Sequence, residues 1–352
     1  MSTTALRTPD ATTLATVTLG RRRRNRRRLV VLSVLSVLIV VMVAVSLMVG
    51  RTFYPPMDVL RVIMGQEVQG ASFTVGRLRL PRTVMAVLAG ACFGLGGVTF
   101  QTMLRNPLAS PDIIGISTGA STAAAFAIIT LGLSGTGVSA FAIGAGLGVA
   151  MLVYLLAYKD GVSGIRLILI GIGIAAMMQS ATSYVLSTAG QWDLQEALRW
   201  LTGSLNGMRW PSVVLVAVIM ILFVPLLSVV AKDLNMLQLG DDTASALGVR
   251  VDRTRLLVVI AAVGLIAFAT SATGPIAFLA FLAGPIAVRL VGPGSSMLLP
   301  AALVGALLVL IADFCGQYAL GTRFPVGVVT GVLGAPYLIY LIIRTNRTGG
   351  AL

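Results

Sequence analysis

Few side chains in this sequence have the chemistry that catalysis or metal binding requires. Its 352 residues include no histidine and only two cysteines, Cys92 and Cys315, which lie far apart in apolar stretches. Histidine is the commonest general base and metal ligand, and isolated cysteines in apolar sequence behave as small hydrophobic residues. No GxxxxGK[ST] motif is present to cradle nucleotide phosphates. We therefore expect no catalytic site, no metal site and no cofactor in this chain.

A polar motif stands between two long apolar stretches near the middle of the sequence. It reads LGDDTASALGVRV over residues 239–251, and Gly240 and Gly248 enclose about two helical turns. Two acids lie near the N-terminal end, where negative charge favours the helix dipole. A short exposed helix with Ala244 and Leu247 on one face, able to fill a groove on a partner, is one interpretation. By the residues alone, an ordinary amphipathic loop is the favoured interpretation.

A second motif, QTMLRNPLASPDIIGISTGA over residues 101–120, follows about 20 uncharged residues. A stretch of that length can cross the roughly 30 Å hydrocarbon layer as a helix. Pro107 and Pro111 cannot continue a helix, and each favours an extended conformation for the residue before it. We expect Asp112 to cap the following helix through its carboxylate. By the residues alone, the turn could simply be a hairpin that joins two spans.

The composition is that of an all-α integral membrane protein. Hydrophobic residues make up 57% of the chain, charged residues only 11%, and the mean hydropathy is +0.96. Soluble proteins have about twice that charged fraction. Only helices and closed barrels satisfy their backbone polar groups within a bilayer, and the long, unalternating apolar runs indicate helices. The many glycines, including Gly90, Gly94, Gly96 and Gly97, are expected to let neighbouring helices approach closely.

The net charge of +14 does not indicate nucleic-acid binding. Seven arginines and one asparagine make up residues 21–28, and the first long apolar run begins at Leu29. A basic cluster directly before a span is the expected cytoplasmic anchor, attracted to anionic membrane lipid. We predict a basic cytoplasmic tail over residues 1–28, of which the first 20 are disordered. We predict that this tail is followed by a single membrane domain over residues 29–345 and by a short cytoplasmic tail over residues 346–352.

Charged residues and glycines divide the membrane domain into about ten transmembrane helices. The predicted spans are Leu29–Gly50, Thr83–Leu104, Ile113–Leu131, Val138–Tyr158, Leu167–Thr188, Trp210–Ala231, Leu256–Thr273, Ile276–Leu290, Met297–Gln317 and Pro325–Ile343. With both termini in the cytoplasm, 18 of the 26 basic residues lie on that side, as the positive-inside rule requires. The segment 232–255 is then cytoplasmic. The exterior segment after the fifth span, with Asp193, Glu196 and Arg199 at helical spacing, predicts a short surface helix.

Several other polar residues lie within or near the spans. Asp313 is expected to pair with an arginine or a backbone amide, because an acid near a span end faces protein or water. A proton-coupling role for Asp313 is the less favoured alternative. Gln101 and Gln179 either line a path or form hydrogen bonds between helices.

Five stretches together resemble one family of membrane proteins. They are RLPR (79–82), QTMLRNPLASPDIIGISTGA (101–120), LGDDTASALGVRV (239–251), GPIAFLAFLAGPIAVR (274–289) and FPVGVVTGVLGAP (324–336). The residues of these stretches, and the order in which the stretches follow one another, resemble those of the permease subunits of bacterial iron-chelate and vitamin B12 importers, the type II ABC import family. The chain departs from many relatives at Ile286, where they have histidine, and at Arg323, where they have an acid.

The resemblance implies a permease of type II ABC importer architecture that works as a dimer with an identical or paralogous subunit. It implies three groups of site residues. The residues that dock on the ATP-hydrolysing subunit are Leu239, Gly240, Asp241, Asp242, Ala244, Leu247, Gly248 and Val249. The residues of the cytoplasmic gate are Asn106, Leu108, Ser163, Gly164 and Ile165. The candidates for docking an extracytoplasmic substrate-binding protein are Arg79, Arg82 and Arg323, although arginines at a span end also serve as simple interfacial anchors.

The resemblance further implies the partners and the cargo. Two copies of a separate ATP-binding subunit would supply the energy, and a ferric siderophore would be the substrate. A corrinoid or haem cargo stays open. A secondary transporter driven by an ion gradient is the rival mechanism, but it would need ionisable or unwound polar groups near the bilayer midplane. The sequence has few of these, and its lack of paired acids in the spans disfavours an intramembrane enzyme.

Overall fold

The computed structural model describes residues 11–158, 164–292, 294, 296–319 and 321–347. Within these residues the chain forms thirteen α-helices and no β-strand. The helices are α1 Ala11–Met48, α2 Pro56–Ile63, α3 Leu80–Met103, α4 Ile116–Ile129, α5 Thr136–Ala157, α6 Gly164–Ser187, α7 Gln191–Leu201, α8 Trp210–Met236, α9 Asp241–Ala246, α10 Val251–Thr273, α11 Leu279–Val291, α12 Leu298–Tyr318 and α13 Val326–Arg347.

The ten predicted spans each coincide with one helix, so the all-α membrane fold is confirmed. They correspond to α1, α3, α4, α5, α6, α8 and α10–α13. In the described part of the chain, seven helices are long and apolar enough to cross a membrane, and α4, α11 and the Val326–Leu341 part of α13 are shorter apolar helices. The predicted surface helix after the fifth span is α7.

The predicted disorder of the first 20 residues is wrong for residues 11–20. Residues 11–20 are helical, and α1 continues without a break through the arginine cluster into the first apolar run. Arginine, leucine and alanine are good helix formers, and an adjoining span supplies the nucleus from which the helix can propagate. Residues 1–10 lie outside the described residues.

Helix α3 forms the centre of the bundle and packs against α12, α10, α11 and α8. Its glycines make these contacts possible. A Cβ atom on Gly94 would overlap the backbone of Ala301 in α12, and a Cβ atom on Gly97 would overlap the backbone of Ala280 in α11. The predicted role of these glycines in close helix packing is therefore confirmed.

Polar contacts join residues that the sequence places on the same side of the membrane. On one side, Arg27 contacts the end of α11 and Arg105 contacts Asp241. On the other, Arg79 contacts the end of α1 and Arg82 contacts Asp313. These pairings agree with the predicted alternation of the spans.

Candidate functional site

The predicted partner-binding helix is α9. Gly240 precedes it with φ of +103°, a backbone conformation that favours glycine. Ala244 is completely buried, whereas the Leu247 side chain is 57% exposed, so of these two residues only Leu247 is available to a partner. Leu247 is the C-cap of α9, and its N–H still donates a hydrogen bond of 3.0 Å to the Thr243 carbonyl oxygen. Leu239, on the other side of α9, is 61% exposed.

The other predicted docking residues divide into exposed and internal groups. Asp242 and Gly248 are exposed, whereas Val249 is buried in the main apolar core. The two exposed leucines, Leu239 and Leu247, therefore flank α9 as apolar projections. The buried residues hold the helix in place and are not available for a partner.

Asp241 fixes α9 to two other parts of the molecule. Both of its carboxylate oxygens accept hydrogen bonds of 2.8 Å from Nη2 of Arg255, whose side chain is almost buried in α10. The guanidinium of Arg105, in the turn that follows α3, lies 3.5 Å from the same carboxylate. Asp241 thus connects the predicted docking helix with the turn that contains Asn106 and Leu108.

That turn, which we name the gate turn, comprises residues 105–108. Arg105 has φ of +53°, which is unusual for a residue with a side chain. Oδ1 of Asn106 accepts a hydrogen bond of 2.9 Å from the Leu108 N–H, which closes the turn locally. The Leu108 side chain is partly exposed and faces a large cavity.

The second predicted gate segment lies against the first. A Cβ atom on Gly164, at the start of α6, would lie 3.0 Å from Cδ2 of Leu104, immediately before the gate turn. Ile165 is strongly exposed. Ser163 lies outside the described residues. The structure therefore brings Gly164 next to the gate turn, whereas Ile165 faces outward.

The expected cap of α4 by Asp112 is wrong. Ser110 caps the short helical turn Pro111–Ile114 by accepting from the Asp112 N–H, and α4 itself begins after Gly115. The Asp112 carboxylate instead accepts hydrogen bonds from the hydroxyls of Ser117 (2.5 Å) and Ser110 (3.3 Å). Burial raises the pKa of the Asp112 carboxyl, and these two hydrogen bonds oppose the shift.

A cavity of about 950 Å³ opens beside the gate turn. Most of its polar lining lies on the side of α4 and α6: Ser110, Asp112, Ser117, Thr118, Ser121, Gln179 and Thr182, with Thr202 at the end of α7. Its apolar lining includes Leu186, Leu198, Leu201, Ile276, Phe278, Phe281, Val328 and Leu338. Such a mixed cavity can receive a ligand that presents both apolar and hydrogen-bonding surface. The two glutamines were expected either to line a path or to form hydrogen bonds between helices. Gln179 lines the cavity, whereas the Gln101 side-chain amide donates a hydrogen bond to the Phe281 carbonyl oxygen on a neighbouring helix.

Two residues of this region hold strained backbone conformations. Among the described residues, Arg105 and Phe278 are the only non-glycine residues with positive φ. Phe278 has φ of +59°, precedes α11 and lines the cavity. Strain of this kind persists only where surrounding structure enforces it, and it concentrates at functional sites. Neither residue is among the sequence predictions, because no sequence pattern signals a left-handed arginine or phenylalanine.

The three predicted docking arginines have different environments. Arg79 is buried, and its guanidinium donates hydrogen bonds to the carbonyl oxygens of Leu47, Met48 and Thr52 at 2.7–3.0 Å. It therefore holds the last turn of α1 and is directed into the protein. Arg323 is exposed in the segment between α12 and α13, with no ion pair to any described carboxylate.

Arg82 forms an ion pair within the chain. Its Nε and Nη2 donate hydrogen bonds of 2.7 and 2.6 Å to the two carboxylate oxygens of Asp313, and both side chains are mostly buried. Its Nη1 donates to Oδ1 of Asn206 at 2.6 Å. The expectation that Asp313 pairs with an arginine is confirmed. Arg82 is thereby less accessible to a partner than the sequence suggested.

The comparisons with known proteins agree with this architecture. A sequence profile of the FecCD transport family matches residues 38–344, almost the whole helical bundle. The chain belongs to the FecCD transport family. A solved metal-chelate type ABC transporter in an inward-facing conformation shares the fold, with a TM-score of 0.80 and 29% identity over 89% of this chain and 98% of that one.

The curated relatives of this FecCD family member are permeases. The ferric enterobactin transport system permease protein FepG of Escherichia coli is 40% identical over 82% of this chain and 88% of its own length. The achromobactin transport system permease protein CbrC of Dickeya dadantii is 38% identical over 87% and 89%. The cobalamin import system permease protein BtuC of Halobacterium salinarum is 36% identical over 77% and 74%. The family is one of ABC transporter permease subunits, which are not themselves enzymes.

Proposed function

We propose that this chain is the permease subunit of an ATP-driven importer of ferric siderophores. The observation that carries this proposal is the mixed cavity beside the gate turn, in a chain whose FecCD relatives include transporters named for ferric enterobactin and achromobactin. A corrinoid is the second candidate cargo, because a cobalamin permease is also among the relatives. Hydroxyl, amide and carboxyl groups along one wall would bind the polar atoms of a chelate weakly enough to release it.

The cavity is open along one side in the single chain, and a second permease subunit is the expected cover. Helix α6 exposes Ile172, Met177 and Tyr184. An apolar helical surface of this kind suits a subunit contact within the membrane. We propose that an identical or paralogous subunit completes the path around a central axis.

The free energy of ATP hydrolysis would be transmitted to the translocation path through α9. Two copies of a separate ATP-binding subunit would receive Leu239 and Leu247 in apolar grooves, so that closure of the ATPases moves α9. The ion pair between Asp241 and Arg105 offers a direct mechanical connection to the gate turn. The proposed location is the bacterial inner membrane, with both termini in the cytoplasm.

The proposed function is tested by uptake into proteoliposomes that contain the permease, its ATPase and its binding protein. We expect accumulation of ferric siderophore that requires ATP and is unaffected by an ionophore. Uptake without ATP that an ionophore abolishes would establish the rival secondary transporter. ATP-dependent uptake of cobalamin, with no uptake of ferric siderophore, would establish the corrinoid alternative.

Arg105→Asn is expected to reduce transport per ATP hydrolysed while leaving the permease folded and bound to its ATPase. Asparagine tolerates the left-handed backbone at this position but cannot pair with Asp241. A half-exposed ion pair contributes about 0.2–1 kcal/mol, so a reduction of about 1.4- to fivefold is expected. Substrate uptake and phosphate release are measured in the same proteoliposomes.

Two control variants distinguish a positioning role from a general effect of charge. Arg105→Lys retains the positive charge and should recover part of the coupling. Asp252→Asn removes an exposed acid at the start of α10, outside the predicted docking residues, that forms no ion pair with the described residues. Asp252→Asn should behave as the unaltered protein. Equal uncoupling by Arg105→Asn and Asp252→Asn would refute the connection.

Arg323→Glu is expected to slow association with the binding protein and to weaken its salt dependence. Arg323 is the exposed member of the three predicted docking arginines, and charges at an interface rim mainly alter association rate. The test is binding kinetics on nanodisc-embedded complex at low and high salt. Arg51→Glu, an exposed arginine on the same predicted side, is the matched control. Identical kinetics for both variants at low salt would argue against docking by Arg323.

A further inference from the structure

A second, smaller cavity of about 250 Å³ lies between the N-terminal part of α1 and the segment after α11. Arg21, Arg24 and Arg28 line it from α1, and Gly292 and Gly294 line it from the opposite side. The three arginines are spaced three and four residues apart, so they lie on one face of the helix. The cavity is therefore lined by three arginines on one side and by two glycines on the other.

A neighbouring arginine holds this part of α1 in place. Nε of Arg27 donates a hydrogen bond of 3.0 Å to the Leu290 carbonyl oxygen, and its Nη2 donates one of 2.9 Å to the Arg289 carbonyl oxygen. These carbonyls belong to the last turn of α11, which is the negative end of the helix dipole. Arg27 therefore fixes α1 against α11, and the three arginines of the cavity have a defined position.

The positive charge of the cavity is not balanced within the described residues. None of its described lining residues is acidic, and Arg21, Arg24 and Arg28 form no ion pair with a described carboxylate. A guanidinium has a planar arrangement of donors that matches the oxygens of a phosphate group. The chemistry of the cavity thus favours a phosphate anion.

The position of the cavity along α1 indicates the source of that phosphate. Leu29 and Val30 directly follow Arg28, and both are exposed. Only 6% of the apolar part of α1 is buried, as expected for a helix that faces lipid. The cavity therefore lies at the level where hydrocarbon meets headgroups. We propose that it binds the phosphate of an anionic phospholipid headgroup as a discrete site, in addition to the diffuse attraction of a basic segment to the membrane.

The test compares two triple variants of the full-length permease that lose the same charge from the same helix. One replaces the cavity residues, as Arg21→Gln, Arg24→Gln and Arg28→Gln. The other, as Arg22→Gln, Arg23→Gln and Arg26→Gln, replaces exposed arginines that do not line the cavity. Phosphatidylglycerol binding in detergent is measured by native mass spectrometry and by the shift in melting temperature. Phosphatidylcholine is the neutral reference lipid.

We expect the cavity variant to lose at least about tenfold in affinity for phosphatidylglycerol relative to the control variant, because it loses charge-assisted hydrogen bonds as well as charge. Equal affinities for the two variants would leave only diffuse attraction and would overturn the site. Inorganic phosphate is titrated separately. A full stabilising shift from inorganic phosphate alone, at concentrations similar to those of the lipid, would overturn the assignment to a lipid.

Discussion

Replacing Leu247 with aspartate is expected to abolish stable association with the ATPase and, with it, transport. Leu247 is exposed at the end of α9, where the proposed partner would enclose it. A carboxylate in an apolar groove has no partner to replace its water. A central apolar contact of this kind is worth at least about 2 kcal/mol, which corresponds to ~30-fold in affinity. Copurification of the ATPase and uptake in proteoliposomes measure the two effects.

Two further substitutions make this result specific to the apolar contact. Leu247→Met keeps an apolar side chain of similar volume and should preserve most of the association. Leu239→Asp alters the other exposed leucine beside α9 and should weaken association as well. Unaltered gel-filtration behaviour of each isolated permease shows that folding is intact. Full transport by Leu247→Asp would show that the segment is an ordinary loop.

Gly97→Val is expected to lower the stability of the folded permease by about 3 kcal/mol or more, since overpacking at a close helix contact forces backbone shifts. The nearest neighbours of an added Cβ atom are the carbonyl oxygen, carbonyl carbon and Cα of Ala280, all backbone atoms. Neither α3 nor α11 can relieve the overlap by changing a rotamer. Thermal unfolding in detergent, followed by the loss of monodisperse protein, measures the effect.

Gly148→Val in α5 is the matched control for that substitution. A Cβ atom on Gly148 would lie more than 4 Å from every described atom outside its own stretch of α5. The single chain therefore has room for the valine side chain. Both variants exchange glycine for the same residue within an apolar helix. Equal destabilisation would mean that the intrinsic cost of valine, and not the contact between α3 and α11, determines the result.

The sequence by itself determined the helical architecture. Each of the ten spans was predicted from the lengths of uncharged runs and the positions of charges and glycines, because the cost of placing backbone and charge in hydrocarbon acts locally along the chain. The two glycines of the 239–251 motif allowed a short helix there but left an ordinary loop open, and the structure has the helix α9. The order of five motifs also determined the family, which the FecCD profile confirms.

Only the tertiary structure decided which polar groups meet. Asp313 was expected to pair, but its partner, Arg82, lies 231 residues away in sequence, and nothing local to either residue indicates the other. The same applies to Asp241, which contacts both Arg105 and Arg255. Arg79 was placed correctly at a span end, yet its burial against carbonyl oxygens of α1 depends on how α1 packs.

The predicted cap failed for the same physical reason. Ser110 and Asp112 both have side chains that can cap a helix, and the choice between them depends on the burial of the turn and on the nearby Ser117 hydroxyl. Ala244 is buried and Leu247 is exposed because the packing of α9 against the core determines which of its residues are covered. Hydropathy and spacing determine where helices form, whereas the pairing and exposure of individual side chains depend on contacts between elements that are distant in sequence.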